Sequence, residues 1–217
     1  STRLKPEDFT GSSAGTIDVG DKIVTIKPFR NKLIVFCESS IFQVSGLDGT
    51  ASVSGVTKNI GCVSGNTVQE IGGDLIFLAP DGLRTIAWTA RIDDIELSSI
   101  SRKIMPLFRD EVMPFLSSIR FASLVIREKS QYRLFYFKSG TSNNIQGGVI
   151  GTFKISSTGA GVYEWSQTKG IPAKVAHSGT AEDGSEVLYH SDESGYVYNH
   201  DNGNSFDGTN IVAQYKT

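Results

Sequence analysis

The stretch Thr67–Trp88, TVQEIGGDLIFLAPDGLRTIAW, decides the fold. It divides into Thr67–Ile71, a Gly72-Gly73 turn, Asp74–Ala79, a Pro80-Asp81-Gly82 turn and Leu83–Trp88. Short runs rich in β-branched and aromatic residues, punctuated by Gly, Pro and Asp, are strand and hairpin signals. The middle run, DLIFLA, is apolar almost throughout instead of alternating, as expected of a strand covered on both faces. Three similar units flank it. Upstream, Ile23–Phe29, Lys32–Cys37 (KLIVFC) and Ile41–Val44 are joined by turns at Arg30-Asn31 and Glu38–Ser40. Downstream, Phe121–Ile126, Gln131–Phe137 (QYRLFYF), Val149–Ile155 and Val162–Trp165 make a third unit. Ala173–His177, Glu186–His190, Tyr196–Asn199 and Ile211–Tyr215 make a fourth.

Aligned on Leu33, Leu75, Leu134 and Val187, the second strands lie 42, 59 and 53 residues apart. Repeats of roughly 40–50 residues holding four short strands mark propeller blades. A helical insertion lengthens the second interval, and the Ser139–Gly148 loop lengthens the third. The expected fold is therefore all-β, a β-propeller-like array of antiparallel four-stranded meander blades with one short helical insertion. A β-sandwich is the alternative. Residues 1–21 read as an N-terminal lead-in and residues 22–217 as the propeller-like domain.

The insertion spans about 98–118. Ile100, Ile104 and Phe108, spaced four apart, form an apolar face, and Ser98 or Ser99 suits the N-cap. Pro106 and Pro114 lack an N–H and clash with the preceding turn, which predicts two short helices instead of one long one. The insertion admits two readings, a plug between blades or an element reaching a neighbouring subunit. For the second, the candidate interface residues are Ile100, Arg102, Lys103, Ile104, Phe108 and Arg109.

The 217 residues carry 21 Lys and Arg against 23 Asp and Glu, a formal charge of -2. A dedicated nucleic-acid binder carries a basic excess or stripe, and none is visible. No run approaches the ~18 apolar residues of a membrane span, and no basic-then-apolar leader opens the chain. Beginning at Ser1 and stopping within a strand-like run, the chain reads as a processed form or a fragment. Cys37 and Cys62 are expected to be free, buried packing thiols, because a domain of this size needs no disulfide staple.

The motifs that suggest chemistry fail on inspection. His190 and His200 flank one turn and can approach each other, but with His177 they lack metal-ligand spacing and read as polar strand histidines. In Gly61–Gly65 (GCVSG) the serine is one place off a nucleophile elbow and no helix follows. Gly11–Thr16 (GSSAGT) lacks the lysine of a phosphate loop. Asp201–Gly208 (DNGNSFDG) has Gly203 at the third position and Val212 at the twelfth, where a calcium loop needs oxygen ligands, so a tight hairpin turn is expected. Ser191–Gly195 (SDESG) has its Asp one place early for an Asp-box and lacks the closing Trp. Asp93-Asp94 and Asp110-Glu111 border the insertion and suit a solvated surface or a helix N-terminus better than an acid/base pair. No catalytic residue, cofactor or metal is expected.

Three stretches carry a resemblance. Lys22–Gly46 (KIVTIKPFRNKLIVFCESSIFQVSG), Asn59–Trp88 (NIGCVSGNTVQEIGGDLIFLAPDGLRTIAW) and Gly195–Thr217 (GYVYNHDNGNSFDGTNIVAQYKT) together resemble the propeller-containing tail nozzle, or tail tubular protein B, family of short-tailed bacteriophages. The order and spacing of these phrases, over most of residues 22–217, are more specific than any one of them. The resemblance implies a non-enzymatic virion component, made in the host cytoplasm, that forms a sixfold ring below the portal and adaptor. Genome DNA would pass through the ring during ejection. Members of that family are usually much longer. A near-neutral chain fits such a channel, since each phosphate neutralised by Lys or Arg adds affinity and slows sliding. The alternative function is a carbohydrate- or receptor-binding propeller, weakly signalled by Trp88 and Trp165. A glycosidase or sialidase reading lacks its acid/base pair.

Overall fold

Gly72 and Gly73 close the hairpin on which the chain is organised. Both adopt left-handed backbone angles, φ 62° and 75°, as the two-residue turns that match strand twist require. The computed structural model describes residues 15–46, 51–87, 100–138, 145–157, 159, 161–206 and 208–212. Among these, strands connect mostly by short turns into antiparallel meanders, each in strict sequence order. The first sheet is β1 (Ile23–Phe29), β2 (Lys32–Cys37), β3 (Ile41–Ser45) and β4 (Ser52–Thr57). The second is β5 (Gln69–Ile71), β6 (Asp74–Ala79) and β7 (Gly82–Thr85). The third is β8 (Arg120–Ile126), β9 (Gln131–Lys138), β10 (Ile145–Ile155) and β11 (Gly161–Thr168). The fourth is β12 (Val175–Thr180), β13 (Glu186–Ser191) and β14 (Val197–Asn199). A two-stranded ribbon, β15 (Ser205–Phe206) with β16 (Thr209–Asn210), follows.

The four expected units thus coincide with the four sheets, with differences in detail. The first sheet gains β4, absent from the strand expectations because SVSGVT is small, polar and mostly exposed. The run Leu83–Trp88 stays extended only to Thr85, since Ile86 and Ala87 turn helical, and Trp88 lies outside the described residues. Among the described residues, two sheets have four strands and the other two have three. The expected strand Ile211–Tyr215 is not formed at Ile211 and Val212, and 213–217 lie outside the described residues. The DNGNSFDG stretch makes the hairpin ribbon, as expected.

The sheets stack face to face in chain order. Ile34, Phe36 and Ile41 of the first sheet pack on Leu75, Phe77 and Ala79 of the second. The opposite face of β6, Ile76 and Leu78, packs on Phe121, Val125, Tyr132, Leu134 and Tyr136 of the third. Ala122, Leu124, Ile126 and Phe135, on the far side of the third sheet, meet Leu188 of the fourth and Ala173 just before it. Strand alternation explains this partition, because successive side chains leave opposite faces. Both middle sheets are therefore covered twice, which accounts for their near-continuous apolar strands. Among the described residues no sheet closes on itself, and no helix is long and apolar enough to cross a membrane.

Polar ties lock the stack. Between the second and third sheets, the Tyr132 hydroxyl donates to the Thr67 carbonyl (2.9 Å), and Gln69 Nε2 donates to the Ser123 carbonyl (3.1 Å). Between the first sheet and the segment leading to the second, the Cys62 N–H donates to the Cys37 carbonyl (2.9 Å). A Cβ on Gly61 would lie 2.0 Å from the Glu38 carbonyl oxygen. The glycine in GCVSG thus serves a close backbone crossing. Both cysteines are free and buried, as expected, but on opposite faces of the first sheet.

The insertion is one helical path over 102–115, not two helices. Its hydrogen-bond spacing changes along the way, 3₁₀ at Arg102–Ile104, α at Met105–Leu107, π at Phe108–Val112 and 3₁₀ at Met113–Phe115. Pro106 and Pro114 each fall in the opening turn of one of these segments, where no N–H is needed. The path continues because its spacing readjusts around each proline. The suggested caps Ser98 and Ser99 lie outside the described residues. Ser101 precedes the first turn instead, and its hydroxyl accepts the Leu83 N–H (2.9 Å).

Candidate functional site

Two places merit attention as sites. The first is the insertion. Phe108, 1% exposed, is buried with Val112 between the second and third sheets, and Ile100 and Ile104 are half-buried against the same cluster. The Ile100 carbonyl accepts Trp165 Nε1–H (2.9 Å), and Tyr136 donates to Glu111 (2.7 Å). The apolar face is thus spent inside the chain, as the plug reading requires. Its outer face carries the remaining candidates. Arg102 and Lys103 are exposed, and Arg109 is exposed beside Asp110 (2.9 Å). Such a surface pair contributes little by itself.

The second place lies where the fourth sheet meets the third. His190 projects from β13, and His200 follows β14. Their Nδ1 atoms are 3.2 Å apart, and the rings stand edge to face with centroids at 4.9 Å. His200 is buried, its ring edge-on to Phe135 (5.5 Å). Arg133, projecting from β9, reaches it with Nη1 2.9 Å from His200 Nε2. A guanidinium can only donate, so His200 Nε2 is the acceptor and its proton resides on Nδ1. That proton is donated to His190 Nδ1, which leaves His190 protonated on Nε2. The three side chains form a directional chain with both imidazoles neutral.

Charged and polar neighbours hold the chain in place. Gln131 Oε1 accepts from Arg133 Nη2 (2.9 Å), and Asp201 accepts from Arg133 Nη2 (3.1 Å) and Lys129 Nζ (2.5 Å). Burial alone would raise the Asp201 carboxyl, but Lys129 and Arg133 together hold it below the usual range. His200 is pushed down to about 4, by burial first and then by Arg133 and His190. His190 is lowered by burial, against the opposing pull of Asp192. The His190 ring stacks on Tyr198 (5.0 Å), whose hydroxyl donates to Asp192 (3.0 Å). Asp192 also accepts the Ser194 N–H (2.9 Å) and Tyr196 N–H (3.1 Å), so the SDESG segment is a side-chain-capped turn.

An open cavity of about 710 Å³ adjoins this cluster, lined among others by Ile150, Ile171, His190, Tyr198, Asn199 and Asn202. Asp201, the first residue of the calcium-like stretch, turns to two cations instead of into its own loop. A metal ion is disfavoured beside a guanidinium and an ammonium, and among the described residues no group of three or more His, Cys, Asp or Glu is placed to hold one. Of the paired carboxylates, Asp110 and Glu111 are engaged by Arg109 and Tyr136, while Asp93 and Asp94 lie outside the described residues. His177 stands on the exposed face of β12. Arg133 was missed because 67 residues separate it from His200. No protein-family profile matches the chain, and no curated protein is significantly similar to it.

Proposed function

We propose that the chain is a non-enzymatic structural part of a short-tailed phage tail, of the nozzle or tail tubular protein B type. In this reading the sheets are consecutive propeller blades, and the intact protein joins the adaptor as a sixfold ring through which genome DNA passes. The observation that carries the reading is the stack of meander sheets in chain order, two of them built in the main by phrases that resemble that family. Lys22–Gly46 supplies β1–β3 and Asn59–Trp88 supplies β5–β7. The plug-like insertion adds support, because it leaves Arg102, Lys103 and Arg109 outward for a neighbouring subunit.

Electron microscopy of the protein mixed with its phage adaptor tests this reading. Rings are the expected result, weakened by the double reversal Arg102→Glu and Arg109→Glu. Duplex DNA affinity should be negligible at physiological salt, because no cationic cluster is available to release counterions. Absence of any assembly, or tight salt-sensitive DNA binding, would remove the proposal. The cavity beside Tyr198 favours a second reading, a carbohydrate- or receptor-binding propeller. Saturable glycan binding abolished by Tyr198→Ala, without adaptor binding, would select it.

A further inference from the structure

The fourth sheet rests on the third through a thin apolar contact. Small residues, Ala122, Ala173 and Ala176, make up much of it, with Leu124, Ile126, Phe135 and Leu188. Polar contacts add to the docking. Two are prominent. The Glu186 carboxylate accepts the Arg127 N–H (2.9 Å), and the Arg133–His200–His190 chain joins β9 to β13 and the end of β14.

We propose that the Arg133–His200–His190 chain is an acid-released latch, holding the fourth sheet on the third while both imidazoles are neutral and letting go when either gains a second proton. Donor order sets the switch. His200 Nε2 must keep its lone pair to accept from Arg133, and His190 Nδ1 must keep its lone pair to accept from His200. An imidazolium donates from both nitrogens. A proton on His200 therefore sets N–H against N–H at 2.9 Å from a guanidinium, and one on His190 does the same at 3.2 Å from His200.

The surrounding charges do not remove this conflict. Facing the pair are Arg133 and Gln131 from β9, Lys129 from the turn before it, Asp201 after β14, and Asp192 and Tyr198 beside His190. Asp201 and Asp192 favour an imidazolium, but Asp201 is already shared by Lys129 and Arg133. The net lowering of both histidines agrees with this balance. A histidine depressed in the docked state binds fewer protons there than when released. The latch is therefore fully effective above about pH 6.5, the ordinary histidine value, and weakens as pH falls toward about 4.

Hydrogen exchange of the full chain at pH 7 and pH 4.5, corrected for intrinsic rates, tests the latch. The expected result is a selective loss of protection in β12–β14, roughly tenfold to a hundredfold, with β6 and β9 unchanged. Uniform loss across all sheets, or no loss, would overturn it. His200→Gln keeps an acceptor for Arg133 but leaves His190 to titrate, so it should shrink the response, and adding His190→Gln should flatten it to less than about threefold. Glu186→Gln should retain the response; if it abolishes the response, the carboxylate is the switch and the latch is wrong. Should His200→Gln fail to fold, ¹⁵N spectra of the wild-type imidazoles decide. At pH 7 His200 must be protonated on Nδ1 and His190 on Nε2, and an imidazolium at His200 at pH 6 would refute the proposal.

Discussion

The strands β6 and β13 occupy the same place in their meanders, yet DLIFLA is buried from Leu75 to Ala79 while EVLYHS buries only Leu188. The hairpin geometry is the same; the neighbours differ. Among the described residues, β6 has a sheet on each side, whereas β13 has one on its inner side only, and its outer face shows Tyr189 (46% exposed) beside Val175 and Val197 on the flanking strands. A strand's apolar content thus records how many of its faces are covered. Val187 and Tyr189, aligned with Leu75 and Phe77, are half-buried and exposed for that reason.

Substitutions graded along this contrast test it, read as shifts in urea unfolding. The largest effect is expected for Phe77→Ala, about 3–5 kcal/mol, because the ring is fully buried and meets Phe36 at 5.3 Å across the first interface. Gly61→Ala should cost about 3 kcal/mol, the upper end for overpacking, since the added carbon meets backbone instead of a movable side chain. Leu188→Ala should cost about 2 kcal/mol, at the low end for a core leucine in a small cluster. Tyr189→Ala should change stability by less than about 0.5 kcal/mol, as for ordinary surface positions. A Tyr189 effect as large as that of Phe77 would mean that the outer face of the fourth sheet is covered, and the contrast would fail.

The inner strands and their turns were legible because each is written locally, apolar runs between Gly, Pro, Asp and Asn. What escaped was set by contacts distant in sequence. β4 is held by pairing with β3, from Ile41 with Thr57 to Ser45 with Ser52, and not by its own composition. The insertion runs through two prolines while Phe108 and Val112, the two ends of its π segment, are fixed in the core. In the cluster at the fourth sheet, the approach of the two histidines was readable from one turn. Their burial under Arg133 was not, since no local pattern announces a partner on another sheet.

The placement of the two cysteines turns the first interface into its own clock. Cys62 lies between the first and second sheets and Cys37 on the outer face of the first, so the two thiols report different openings of the chain. Burial raises both thiols, Cys62 to about 11, so little thiolate forms at neutral pH while the fold is closed. Modification at Cys62 must wait for the first two sheets to part, whereas Cys37 needs only its outer cover to lift. Timed alkylation of the unaltered protein would therefore separate fraying at the chain's first face from rupture of its interior, without any introduced label.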